Sequence, residues 1–157
     1  MKFLKSPWLT WIASLVVGGV FIFSSYHKIL DPPDFAKAIY NYCIVPDELL
    51  HLPAVYMPWF ELVAGLAVAA GVGRRGGAFG LGVLSVIFIV ALGFNIQRGH
   101  PTICGCFSKF EDGVDWTDEM KFAKMWREVF LDVGLVILCL QILYGTVFAP
   151  ARVTEEE

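Results

Sequence analysis

Four stretches of the chain lack the polar punctuation that a soluble helix carries at every third or fourth position. They cover about residues 8–30, 55–72, 78–96 and 129–148, and each holds at most one Asp, Glu, Lys or Arg. Apolar runs of roughly 18 to 20 residues are long enough to cross bilayer hydrocarbon as α-helices. The pattern predicts an all-α integral membrane protein, a four-transmembrane-helix antiparallel bundle forming one membrane domain over 1–157. Lys2 and Lys5 precede the first run, which is longer than the roughly 7 to 15 apolar residues of a signal peptide and has no clean small-x-small cleavage site after it. It therefore reads as a first transmembrane helix.

Polar and small residues inside the runs recur at helical spacing. Gly18, Ile22, Ser25 and Lys28 form one stripe, Glu61 with Ala64, Gly65, Val68 and Ala69 a second, and Gly82, Ser85, Leu92 and Asn95 a third. Stripes of this kind suit close contact between helices in lipid.

The connections alternate in length. Gly73-Arg-Arg-Gly-Gly77 returns the chain at once, whereas the other two links are long. In the first, Asp31-Pro32-Pro33-Asp34 stops one helix and caps another, predicting a short surface helix over Phe35–Tyr42, with a further turn near Pro46. In the second, Thr117 precedes Asp118 and Glu119, a favourable helix start. Met120, Phe122, Met125 and Trp126 then interleave with Lys121, Lys124 and Arg127, an interfacial segment running into the fourth span. The two long loops thus form an extracytoplasmic cap that contains short helices.

Composition sharpens this picture. Apolar residues make up 57% of the chain and charged ones 17%, more hydrophobic material than a soluble domain of this size buries. A net charge of -3 with no basic run leaves no footprint for nucleic acid, so the bilayer is the expected environment. Arg74-Arg75 and the lysines before the first span place the termini and the short link on the cytoplasmic side, because positive residues in short loops weigh most. The long loops are then periplasmic. The tryptophans fit interface belts, and Cys139, mid-span, fits a core position.

With four antiparallel spans, one membrane level collects His27, Lys28, Glu61, Asn95, Arg98, His100, Arg127 and Asp132 beside the Cys104-Gly-Cys106 loop. Ionisable groups in lipid are costly and are usually paired, which makes them candidates for function or for fixing helix register. Glu61 is expected to face Lys28 or Arg98. In a C-x-C, a bond between the two sulfurs closes a small strained ring that Gly105 permits, and strain makes it labile. Arg98, His100 and Lys109 favour the thiolate that exchanges. Cys43 is available as a resolving or bridging partner, and the pairing stays open among the three. The alternatives are a permanent structural disulfide and, less suited to zinc spacing, a metal held by His100, Cys104 and Cys106. Phe88 and Phe94 suit core packing or a quinone cleft.

The strings Tyr26-His-Lys-Ile-Leu-Asp-Pro-Pro-Asp-Phe35, Ile39-Tyr-Asn-Tyr42, Pro58-Trp-Phe-Glu61 with Gly65, and Arg98-Gly99 before Cys104-Gly-Cys-Phe107 resemble the MauE/DoxX-like family of small bacterial membrane proteins. The resemblance covers roughly residues 24–107. It implies a four-helix protein of the bacterial inner membrane associated with redox processes. It also implies links to methylamine utilisation, where the MauE branch serves maturation of a disulfide-rich enzyme subunit, and, through DoxX relatives, to quinone-coupled sulfur oxidation. By that resemblance His27, Lys28, Glu61, Arg98, Cys104 and Cys106 are singled out.

The expected function is extracytoplasmic thiol–disulfide chemistry, or disulfide maturation of a partner, through the Cys104-Gly-Cys106 loop. Cys104 and Cys106 would be the exchanging groups, with a thioredoxin-like or client protein as partner and a quinone as possible electron acceptor. The competing class is a non-catalytic membrane assembly or chaperone subunit braced by a structural disulfide. Solute transport along the polar stripe, dependent on Glu61, ranks last.

Overall fold

Long charge-free runs satisfy their backbone polar groups internally by coiling into helices, since lipid offers no hydrogen-bond partner. The computed structural model describes residues 7–42, 51–99 and 117–148. Its elements are α1 (Pro7–Leu30), α2 (Pro32–Asn41), α3 (His51–Ala70), α4 (Arg74–Arg98) and α5 (Asp118–Phe148), and there is no strand among the described residues. All except α2 are long and apolar enough to cross a membrane. The protein is therefore an all-helical bundle with four candidate spans.

The helix ends follow from local chemistry. Pro32 and Pro33 occupy the first turn of α2 after Asp31, where a missing N–H costs nothing. Between α3 and α4 only residues 71–73 lie outside helix, and Gly71 and Gly73 take positive φ of 84° and 69° to make that turn. The hydropathy pattern places the α3 span from about residue 55, but the helix starts at His51. It takes Pro53 into its first turn and carries Pro58 inside. Glu61 consequently lies near the middle of α3 instead of in its opening turns. In α5 the segment expected at the interface and the fourth span form one continuous helix of 31 residues.

The four long helices form a ring, α1 packing chiefly on α3 and α4 chiefly on α5, with lighter α3–α4 and α1–α5 contacts. The α1–α3 seam is close because of two glycines. A Cβ on Gly18 would stand 2.7 Å from both the Ala69 Cβ and the Gly65 carbonyl oxygen. Val17, Phe21, Val68, Leu81, Phe88 and Ile142 fill the centre, together with Cys139, which is buried as a core residue. A second cluster of Tyr42, Leu92 and Met125 ties the end of α2 to α4 and to the start of α5. Outward faces are lined by exposed large apolar residues such as Leu15, Val63, Val90 and Ile137, the expected surface for a bundle solvated by lipid.

At the opposite end of the bundle, Arg74 stacks over Trp11 at 3.7 Å and Arg75 donates to the Thr146 carbonyl. The starts of α1 and α4 and the end of α5 therefore share one end. The cluster at Leu92 and Met125 shows that the end of α4 and the start of α5 share the other.

Candidate functional site

Lys28 lies in the last turn of α1, on the stripe that begins at Gly18, and Glu61 lies on the small-residue face of α3. The close glycine seam brings these faces together. Lys28 Nζ donates to Glu61 Oε1 at 2.8 Å and to Oε2 at 2.9 Å, and both side chains are 1% exposed. The ammonium also lies 4.9 Å from the Phe35 ring of α2 and 5.1 Å from the Phe88 ring of α4. Four elements thus meet around one cation.

Two further carboxyl groups reach the same region from α5. Glu128 is buried and Asp132 half-buried, one turn apart on one helix face. Both line a cavity of about 520 Å³ that also touches Lys28, Glu61 and Phe88. Its remaining walls, among them Val16, Val20, Leu131 and Leu135, are apolar apart from Ser24. One Lys and three carboxyl groups lining a largely apolar cavity make an arrangement able to orient a polar head or to hold a proton.

The other expected site residues are placed differently. His27 is half-buried and packs edge-on against Phe23 at 4.6 Å and Tyr26 at 5.7 Å. Arg98 is exposed and sits over Phe94 of its own helix at 4.0 Å, so of the two cations considered for Glu61 the structure joins Lys28 to it. Asn95 is buried and its amide donates back to the Ala91 carbonyl at 3.1 Å. Of the two phenylalanines considered for a cleft, Phe88 lines the cavity and Phe94 lies under Arg98. His100, Cys104 and Cys106 lie outside the described residues, as does Cys43. No group of three or more His, Cys, Asp or Glu side chains is placed to hold a metal among the described residues.

Lys124 and Glu128 were not singled out in sequence, yet both are buried. A signal for them exists. Lys124, Glu128 and Asp132 recur every fourth residue, so a single helix face carries three ionisable groups into an apolar run.

The family model described as Methylamine utilisation protein MauE matches residues 6–145. Among curated proteins, the methylamine utilization protein MauE of Paracoccus denitrificans is 25% identical over 155 residues, covering 98% of this chain and 78% of that protein. The protein of the same name from Methylorubrum extorquens is 26% identical over 125 residues, covering 79% and 62%. That of Methylophilus methylotrophus is 29% identical over 103 residues, covering 65% and 54%. The matches thus span less than two thirds of the latter two relatives. No solved structure matches the chain significantly.

Proposed function

The chain belongs to the family described as Methylamine utilisation protein MauE, and on that premise we propose that it serves methylamine utilisation as a thiol–disulfide component of the bacterial inner membrane. The observation that carries this reading is the Cys104-Gly-Cys106 pair in the segment joining α4 to α5. Both helix ends that bound this segment belong to the bundle end near the Leu92 and Met125 cluster. In the proposed orientation that end is periplasmic and the Arg74-Arg75 end is cytoplasmic.

The chemistry is a two-electron exchange. A client thiolate attacks one sulfur of a Cys104–Cys106 bond, and the client's second thiolate displaces the mixed disulfide. The client gains a disulfide and the pair is left as two thiols. Arg98 and His100 favour the thiolate forms. Reoxidation then passes two electrons and two protons to an acceptor, either a disulfide of a thioredoxin-like protein or a quinone, which becomes a quinol. Cys43 serves as a third sulfur for resolving or bridging. Lys28 of α1 and Glu61 of α3 hold together the helices on which the loop is seated.

Variants retaining only one of Cys104 and Cys106 are expected to accumulate a mixed disulfide with a periplasmic protein, identified by mass spectrometry after acid trapping. Cys104→Ser and Cys106→Ser should each insert normally and lose maturation of the client. If both variants support methylamine growth like the parent, the exchange reading is lost and a non-catalytic assembly subunit takes its place.

A further inference from the structure

The cavity between α1 and α5 has a polar end that the Lys28–Glu61 pair leaves incompletely matched. Glu128 is 4% exposed, lines the cavity, and its Oε1 has no hydrogen-bond partner among the described residues. A buried carboxylate oxygen is costly when nothing donates to it. Asp132, one turn on, brings a second carboxyl group to the same cavity, and the Lys28 ammonium is already engaged by both Glu61 oxygens.

The cavity also reaches the lipid-facing surface of α1 and α5. Val16 of α1 is 46% exposed and Leu131 of α5 is 51% exposed, and both line it. Its volume of about 520 Å³ falls in the range of roughly 300 to 1,000 Å³ usual for small-molecule sites.

We infer that this cavity binds a hydroxyl-headed amphiphile that enters sideways from the bilayer, lays its hydrocarbon body between α1 and α5, and donates its hydroxyl hydrogen to Glu128 Oε1. An anionic head is opposed by Glu128 and Asp132. A cationic head is opposed by the cost of bringing a charge into hydrocarbon. A hydroxyl supplies the missing donor with no charge. The ligand chemistry is shared by long-chain alcohols and by alkylated hydroquinones. The site is walled chiefly by α1 and α5, with Glu61 of α3 and Phe88 of α4 at its lining, and does not depend on the cysteine chemistry.

The test uses the full chain in phosphatidylcholine nanodiscs and a hexadecanol probe with a diazirine in its chain, cross-linked by light and mapped by peptide mass spectrometry. Labels are expected on the α1 and α5 residues that line the cavity. Unlabelled hexadecanol should displace the probe about tenfold better than hexadecane, the worth of one hydrogen bond to a charged group. Glu128→Ala should lose labelling to a similar extent, whereas Glu128→Gln, whose amide oxygen still accepts, should keep it. Gly134→Phe tests the same site without touching the polar end. A Cβ at Gly134 meets nothing within 4 Å among the described residues, and the new ring should fill the cavity and abolish labelling.

Competition by a decyl-substituted hydroquinone that exceeds hexadecanol assigns the ring class, and the reverse order assigns the alcohol class. Equal displacement by hexadecane would reduce the cavity to a crevice for acyl chains and overturn the inference. Stronger displacement by hexadecylamine would overturn the hydroxyl assignment. Should Glu128→Ala fail to fold, undiminished labelling of Gly134→Phe would still overturn the site.

Discussion

Lys28 Nζ of α1 contacts both carboxylate oxygens of Glu61 of α3, at 2.8 and 2.9 Å, with neither side chain open to solvent. Taking two charges out of water costs several kcal/mol per ion, and mutual attraction offsets this only when the geometry is good. Here the contact is two-pronged and flanked by aromatic rings. The pair fixes the relative depth of two helices that otherwise meet through small residues.

Removing one partner should therefore hurt more than removing both. Lys28→Met or Glu61→Leu alone is expected to destabilise the bundle by about 3 to 5 kcal/mol, and the double variant to recover most of that loss. Thermal unfolding of the three variants in detergent closes the double-mutant cycle. A double-variant loss equal to the sum of the two single losses would mean that the pair is energetically idle.

The glycine seam makes a sharper steric prediction. Gly18→Leu places atoms where the Ala69 Cβ and Gly65 carbonyl already stand, so it should cost about 1 to 3 kcal/mol or more. Gly19→Leu, where a Cβ meets nothing within 4 Å among the described residues, should be close to neutral. Comparing their melting temperatures separates packing from any general intolerance of α1 to leucine.

Surface chemistry gives a weaker effect. The Arg74 guanidinium over the Trp11 ring joins the starts of α1 and α4, and Trp11→Leu should lose about 0.5 to 1 kcal/mol, the usual worth of an exposed cation–ring contact. A larger drop would indicate that Trp11 holds more than this contact.

The proposed orientation is open to thiol labelling in intact cells. A membrane-impermeant maleimide should reach Cys104 and Cys106 after reduction, and should reach Gly76→Cys only once the membrane is opened. Cys139, 1% exposed among α4 and α5 residues, should stay unlabelled in both cases until the protein is denatured. Labelling of Gly76→Cys from outside would invert the topology.

Helix identity was legible because lipid imposes a simple rule, a long run without charge, and the runs ending near Leu30, Arg98 and Phe148 obey it. That Glu61 needs a cation was legible for the same reason, since it is a lone charge on a small-residue stripe, but the choice of Lys28 over Arg98 came only with the packing of α1 on α3. The start of α3 was not legible, because Pro53 and Pro58 read as breakers while the helix accommodates both. Lys124 and Glu128 were obscured by their setting among Lys121 and Arg127, a pattern that looks like a wetted face. Met125, between them on α5, packs with Leu92 of α4 and Tyr42 at the end of α2, and Glu128 lies against α1 at the cavity, tertiary partners that periodicity alone does not reveal.

The matched charges on α1 and α3 also bear on how the protein is made. An unaccompanied ionic side chain well inside hydrocarbon is costly, and Glu61 sits mid-helix on a short stem, unable to stretch to a headgroup as a lysine can. During synthesis α1 emerges first and can wait with its ammonium near the headgroups. The later helix reaches a low-energy resting depth only by docking on it, so the ribosome delivers the neutralising partner before the charge that needs it.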